Sequence, residues 1–119
     1  MAVTDWNEFI KQTDRRMAEI RAGVPEAAKG FAALARASIA PGALDSKIKE
    51  LIALAIGITA RCDGCLAYHV KAAIRFGATR QEIMETIAVA VYMGGGPSMI
   101  YGAEALAAFD ALSGKPARE

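Results

Sequence analysis

The sequence predicts an all-α fold, a single domain of about six helices that spans residues 1–119. Alternation of apolar and polar residues with period two, the pattern typical of strands, is not convincing anywhere, and no Asn-Gly or Asp-Gly turn lies between β-branched runs. Apolar residues make up 54% of the chain, and many of them are alanines, which favour helices and close contact between helices. The chain has no internal repeat and no linker long enough to divide domains, so we expect one domain.

The two N-terminal helices are marked by residues that begin or end helices. Apolar residues spaced among charged ones indicate a helix from Asp5 to about Ala22, and Gly23 follows it as a stop. Pro25 suits the first turn of a second helix, which runs to about Ala40.

The third helix is predicted to be the buried centre of the bundle. Asp45 or Ser46 can cap its first turn, and the helical pattern continues through Ala60. From Leu51 onward the helix is apolar on every side. Helices with this pattern are usually buried, so we expect the other helices to surround this one.

The fourth and fifth helices are indicated by their own boundary residues. The fourth begins near Cys62 and ends at Gly77, since glycine readily adopts the left-handed conformation of a helix C-terminus. Thr79 and Glu82 form a capping-box pattern, which opens a fifth helix that runs to about Met93.

The last helix follows a break of three consecutive glycines. It begins at Pro97 or Ser98 and runs through Ala111 or Leu112. We expect the tail, residues 113–119, to be frayed, because chain ends that nothing ties down are poorly ordered.

Charge and hydropathy exclude several classes of function. Lysine and arginine total 14 against 13 acidic residues, and no basic stripe interleaved with aromatics is present, so we expect no nucleic-acid partner. The N-terminus lacks the basic and apolar regions of a signal peptide, and the longest apolar run, residues 51–60, is about half of a membrane span. We therefore expect a soluble, cytoplasmic protein that does not enter the membrane.

The chemistry is concentrated in one short segment. Cys62, Cys65 and His69 are the only cysteines and the only histidine of the chain, in the spacing C-x2-C-x3-H. On a helix, residues three, four and seven apart share one face, so both thiols and the imidazole would lie along one stripe. Two thiols this close can form a disulfide, and a histidine one turn away can take up a proton. This pattern indicates thiol redox chemistry.

The surroundings of the cysteine pair are expected to favour thiolate. The pair lies where a helix begins, and the preceding residue, Arg61, adds a positive charge. Glu50 lies twelve residues before Cys62, near the polar start of the third helix. Packing of the third helix on the fourth would bring its carboxylate towards Cys65 and His69, where it would orient the imidazole and raise its pKa.

The pattern E-x11-C-x2-C-x3-H, from Glu50 to His69, resembles the signature of the alkylhydroperoxidase D-like branch of the carboxymuconolactone decarboxylase family. The match covers these twenty residues directly, and the order of helices fits that family over about residues 20–112. The resemblance implies a peroxidase or disulfide oxidoreductase that reduces hydroperoxides without a cofactor or a metal. In that role Cys65 attacks the peroxide, Cys62 resolves the intermediate, and Glu50 and His69 relay the proton.

The resemblance also implies partners and one departure from the family pattern. A dithiol, which in the family can be a lipoyl group on a carrier protein, would reduce the disulfide again. Family members tend to be trimers or hexamers, and the high apolar content of this chain also favours a homo-oligomer. The best-known peroxidases of the family have a second histidine just before the second cysteine. Here that position is Gly64, so the proton relay has one member fewer.

The order of attack can be argued in two ways. In C-x-x-C helices the first cysteine lies nearest the helix N-terminus and is the stronger acid, which favours Cys62 as the nucleophile. His69, one turn beyond Cys65, favours Cys65, because a general base must lie within hydrogen-bond reach of the proton that it accepts. We assign the attack to Cys65.

Three other interpretations remain open. A zinc site would use Cys62, Cys65 and His69, with Glu50 or Asp63 as the fourth ligand, but three ligands within two turns of one helix form a poor tetrahedron. The pair could instead be a redox sensor in an oligomeric subunit, without turnover, or two buried cysteines without a redox role. A decarboxylase of the same family would need a cationic pocket for its substrate, and no arginine cluster marks one in the sequence.

Overall fold

The computed structural model describes residues 3–114, and this part of the chain forms six helices and no strand. The predicted all-α class is confirmed. The helices are α1 (Trp6–Gly23), α2 (Pro25–Ile39), α3 (Ser46–Thr59), α4 (Asp63–Arg75), α5 (Arg80–Gly94) and α6 (Gly96–Leu112). No helix in residues 3–114 is long and apolar enough to cross a membrane.

The predicted starts of the first, third and fifth helices are confirmed by their caps. Side chains of Asp5, Asp45 and Thr79 accept the backbone N–H three residues later, at α1, α3 and α5 respectively. The capping box of Thr79 and Glu82 is present in both directions. These bonds satisfy backbone donors that a helix N-terminus would otherwise leave unpaired.

The break before the last helix is shorter than the sequence indicates. Gly94 is still part of α5 and Gly96 already belongs to α6, so Gly95 alone separates the two helices. The backbone φ of Gly95 is 75°, a conformation that residues with a side chain rarely adopt, and this explains why a glycine occupies the position. At the other end of α6, residues 113–114 form a turn, and the rest of the tail predicted to be frayed lies outside the described residues.

The α3 helix packs against α2, α4, α5 and α6 and organises the bundle. It runs antiparallel to α4 and parallel to α5. The ion pair of Lys47 with Glu82 joins the starts of α3 and α5, and the close approach of Thr59 to Gly94 joins their ends. The largest fully buried apolar side chains come from α3, α4 and α5, and they are Leu54, Ile58, Leu66, Val70 and Ile83.

The expectation that α3 is buried from Leu51 onward is wrong for a single chain. Ile52 is 45% exposed and Ile56 is 62% exposed, because the outer face of α3 is not covered by any other part of residues 3–114. The α2 helix contacts only α1 and α3 and contains no buried residue. Its side chains Phe31 and Leu34 are 73% and 64% exposed.

Candidate functional site

The two cysteines are joined to each other at the start of α4. Cys62 and Cys65 form a disulfide with Cα atoms 5.2 Å apart. Cys62 is the N-cap of α4, and its Sγ accepts a hydrogen bond from the backbone N–H of Cys65 at 3.1 Å. The first sulfur therefore lies at the positive end of the helix dipole, where a thiolate would be stabilised.

Gly57 of α3 contacts the start of α4 at both cysteines. Its carbonyl oxygen accepts the backbone N–H of Cys62 at 3.1 Å. A Cβ atom at position 57 would lie 2.8 Å from the Cβ of Cys65, which is closer than real Cβ contacts. The absence of a side chain at Gly57 is thus what lets the cysteine pair lie against α3.

The connection between α3 and α4 carries a strained residue. Arg61 has a backbone φ of 58°, in the left-handed region. Residues other than glycine usually avoid this region, because adopting it costs about 1–2 kcal/mol. The backbone N–H of Arg61 donates to Ile58 O at 3.1 Å, which closes the turn. The short connection brings the cysteines back onto α3, and Arg61 itself is exposed.

The predicted pairing of Glu50 with His69 is present. Nδ1 of His69 lies 2.7 Å from Oε1 of Glu50. The side chain of Glu50 is only 8% exposed, whereas that of His69 is 34% exposed. The carboxylate thus orients a ring whose other nitrogen, Nε2, remains for proton exchange. Glu50 and His69 thus meet where α3 and α4 pack together, and the two cysteines lie at the start of α4 against Gly57 of α3.

Tyr68 has a structural role beside this site. Its hydroxyl donates to the Asp14 carboxylate and lies 3.3 Å from the Ile10 carbonyl oxygen, so it ties α4 to α1. Burial, followed by the hydrogen bond to Asp14, raises the pKa of Tyr68 to about 12. The hydroxyl therefore stays protonated throughout the physiological range.

Sequence reasoning did not find a carboxyl pair next to the disulfide. Asp63 begins α4, and Glu104 of α6 lies close enough for the negative charge of Asp63 to act on it. Burial, followed by the negative charge of Asp63, raises the pKa of Glu104. The position of Asp63 between the cysteines was a visible signal, but nothing in the sequence places Glu104 opposite it.

Two surface clefts border the site. One, of about 310 Å³, lies between α1 and the start of α4 and is lined by Asp63 together with Glu8 and Phe9. The other, of about 550 Å³, reaches Glu50 and is lined by Arg36 and Arg75. The fold thus places two arginines, far apart in the sequence, along the cleft that the buried carboxylate also lines.

The described part of the chain offers no cluster of metal ligands. No three histidine, cysteine or acidic side chains among residues 3–114 are arranged to hold a metal ion. The two cysteines that a zinc site would use are instead bonded to each other.

Comparison with known proteins agrees with this architecture. The model of the carboxymuconolactone decarboxylase family matches residues 25–108. The apo structure of lpg0406 from Legionella pneumophila, a member of that family, has a TM-score of 0.88 and 44% identity, covering 91% of this chain and 96% of that one. TM1620 from Thermotoga maritima, a family protein described as a candidate for the antioxidative response, has a TM-score of 0.78 and 29% identity, covering 90% and 91%. Protein H16_B0147 of Cupriavidus necator is 36% identical over 110 residues, which are 92% of this chain and 97% of its own.

Proposed function

The chain belongs to the carboxymuconolactone decarboxylase family, and we propose that it is a thiol-dependent peroxidase and disulfide oxidoreductase that reduces hydroperoxides. The observation that carries the proposal is the Cys62–Cys65 disulfide on the helix whose His69 is paired with the buried Glu50. A dithiol, a base and a group that orients the base are the parts that such a reaction requires.

In the first step, the Cys65 thiolate attacks the terminal oxygen of the hydroperoxide. The O–O bond breaks, Cys65 becomes a sulfenic acid, and the alkoxide takes up a proton and leaves as the alcohol. His69 accepts the thiol proton and can supply it to the leaving alkoxide, while Glu50 stabilises the imidazolium that forms between these transfers. The pair thus moves one proton and needs no cofactor.

In the second step, Cys62 closes the disulfide. The Cys62 sulfur attacks the sulfenic sulfur of Cys65, and hydroxide leaves with a proton as water. An external dithiol then reduces the disulfide by two successive exchanges and leaves as its own disulfide. A lipoyl group on a carrier protein fits this role, and we place the reaction in the cytoplasm, where reducing systems restore such dithiols.

A steady-state assay tests this proposal against a redox sensor. Purified protein is mixed with an organic hydroperoxide and dihydrolipoamide, and peroxide consumption is followed. We expect many equivalents to be consumed per chain, and the Cys62→Ser/Cys65→Ser double variant to consume none. Consumption of a single equivalent that stops at the disulfide would contradict turnover and support the sensor.

The cleft beside Glu50 favours one alternative, a decarboxylase-like enzyme that acts on an anionic substrate. Arg36 and Arg75 form no ion pair with another described residue, so they are available to bind a carboxylate. Such acid–base chemistry would need Glu50 and His69 but not the cysteines. A muconolactone-type substrate that is turned over by the double cysteine variant would support this alternative.

We also propose that the protein assembles with copies of itself. The exposed faces of α2 and α3 carry large apolar side chains, including Phe31, Leu34 and Ile56. Monomeric proteins rarely expose contiguous apolar patches of this kind. Light scattering should show a trimer or hexamer at micromolar concentration, and Phe31→Glu should weaken it. A monomer in wild-type protein would contradict the proposal.

A further inference from the structure

The cleft that reaches Glu50 is lined by two arginines that the reaction described above does not use. Arg36 belongs to α2, and Arg75 is the last residue of α4. Both are exposed, and neither forms an ion pair with another described residue. Guanidinium groups bind carboxylates with parallel hydrogen bonds, so two of them along one cleft favour an anionic ligand.

The rest of this cleft is mostly apolar. Its walls include Ile39 of α2 and Phe76, which follows α4, together with two alanines and a proline. Glu50 is the only acidic residue among those that line it. The Oε1 atom of Glu50 lies 2.7 Å from Nδ1 of His69, so this carboxylate already has a partner. A cleft of this composition suits a ligand with an apolar body and one negatively charged group.

A stripe on one face of α4 connects the cleft with the redox pair. It consists of Cys65, His69, Ala72 and Phe76. Neighbouring members are three or four residues apart, so they lie along the same side of the helix. Cys65 and Ala72 are partly exposed, the side chain of His69 is 34% exposed, and Phe76 is 43% exposed. The other described helices thus leave part of this stripe open from the sulfur to the cleft.

The length of the stripe determines how long the ligand must be. Arg75 and Cys65 lie about 15 Å apart along the axis of α4, since a helix rises about 1.5 Å per residue. A ligand that reaches both residues must hold its charged group and its reacting group at about this separation. A long hydrocarbon chain spans such a distance, whereas a small hydroperoxide does not.

We propose that the substrates are long-chain hydroperoxides that carry a carboxylate, such as fatty-acid hydroperoxides. The carboxylate binds Arg36 and Arg75, the hydrocarbon chain lies along the apolar part of the stripe, and the peroxide group reaches Cys65. The Cys65 thiolate attacks the terminal oxygen and the O–O bond breaks. The products are the sulfenic acid of Cys65 and the hydroxy acid, whose new hydroxyl takes its proton from His69. This inference rests on the proposed function and adds the substrate class to it.

The test compares the hydroperoxide of linoleic acid with that of its methyl ester, which has the same chain but no charge. Both are presented in the same non-ionic detergent with dihydrolipoamide as the reductant, and kcat/KM is measured. We expect the wild type to prefer the acid by about tenfold. Arg36→Gln and Arg75→Gln should each lower this preference about threefold, and the double variant should abolish it. The value for the ester should be the same in all these proteins.

Lys71 provides a matched control. It is exposed on α4, one turn before Arg75, and it does not line the cleft. Lys71→Gln removes the same charge as Arg75→Gln and should keep the preference for the acid. A loss of preference in Lys71→Gln as large as in the arginine variants would contradict a specific site. Equal values of kcat/KM for acid and ester in the wild type would also overturn the proposal.

Binding of dodecanoate separates the site from the reaction. The oxidised protein, whose disulfide does not react with peroxide, is titrated with dodecanoate in a calorimeter. We expect the double arginine variant to bind dodecanoate about tenfold more weakly than the wild type. Binding that the double variant leaves unchanged would overturn the site, whatever the peroxide assay shows. Arginine-dependent binding in a protein that consumes no hydroperoxide would contradict the proposed function and support the carboxylate site.

Discussion

The substitution Gly57→Ala should displace the redox pair, whereas Gly64→Ala should not. Both glycines lie in helices beside the cysteines, and the same methyl group is added in each case. At position 57 the new Cβ would lie 2.8 Å from the Cβ of Cys65, and at position 64 it would meet nothing within 4 Å. The two variants therefore differ in steric contact and not in chemistry.

The expected loss of stability and of rate in Gly57→Ala follows from these distances. Carbon atoms in ordinary contact lie about 3.5–4.0 Å apart, so Cys65 and α3 must separate by about 1 Å in Gly57→Ala. Overpacking of this kind typically costs about 1–3 kcal/mol of stability. A displacement of about 1 Å at a reacting group can lower a rate by about a hundredfold. In contrast, Gly64→Ala should stabilise α4 by up to about 1 kcal/mol, because alanine favours helices over glycine.

Urea unfolding and peroxide consumption measure the two effects separately. Gly57→Ala should lower the free energy of unfolding, slow peroxide consumption and shift the equilibrium of the disulfide with dithiothreitol. Gly64→Ala should leave the equilibrium with dithiothreitol and the rate near those of the wild type. The argument that close approach at Gly57 positions Cys65 would be refuted by either of two results. One is that the two variants have the same rate and the same equilibrium with dithiothreitol. The other is that Gly57→Ala keeps the wild-type rate and equilibrium.

The remaining predictions concern the ionisable groups. His69→Gln and Glu50→Gln should each slow the reaction of the dithiol with peroxide at neutral pH by about a hundredfold to ten-thousandfold, with much of the loss recovered at alkaline pH, where the thiol ionises unaided. Additive losses in the double variant would contradict a single relay. The raised pKa of Glu104 means that the native state holds a proton that the unfolded chain releases. The stability contributed by this group is therefore present below its ordinary pKa and lost as pH rises through the raised value. Unfolding in urea from pH 4 to pH 8 should show a smaller decrease in the free energy of unfolding for Glu104→Gln, and an identical decrease would count against the raised pKa of Glu104.

Local signals in the sequence predicted the helices and the main contacts of the site. Caps such as Thr79 act within a few residues, so their outcome can be read from the sequence alone. The spacing of Cys62, Cys65 and His69 fixes their common helix face, and the position of Glu50 on the preceding helix brings it to His69. These predictions succeeded because each depends on one helix or on two consecutive helices.

The predictions that were incorrect or missing depend on contacts between different helices. The residue pattern of a single helix does not indicate such contacts. The apolar pattern of α3 indicates burial but does not say whether the same chain provides it, and Ile56 remains exposed. Glu104, on which the charge of Asp63 acts, lies two helices further along the chain, and its proximity to Asp63 depends on how α6 packs against α4. Arg36 and Arg75 line one cleft only because α2 packs against α3, which itself packs against α4. The break before α6 is shorter than expected because Gly95 alone makes the turn.

The reaction of hydroperoxide with single-cysteine variants tests the proposed dithiol mechanism most directly. Reduced Cys62→Ser and Cys65→Ser proteins are treated with one equivalent of hydroperoxide in the presence of dimedone, and the modified residue is located by mass spectrometry. We predict a dimedone adduct at Cys65 in the Cys62→Ser protein and none in the Cys65→Ser protein. An adduct at Cys62 alone would reverse the order of attack, and the absence of an adduct from both proteins would contradict peroxide reduction by this pair.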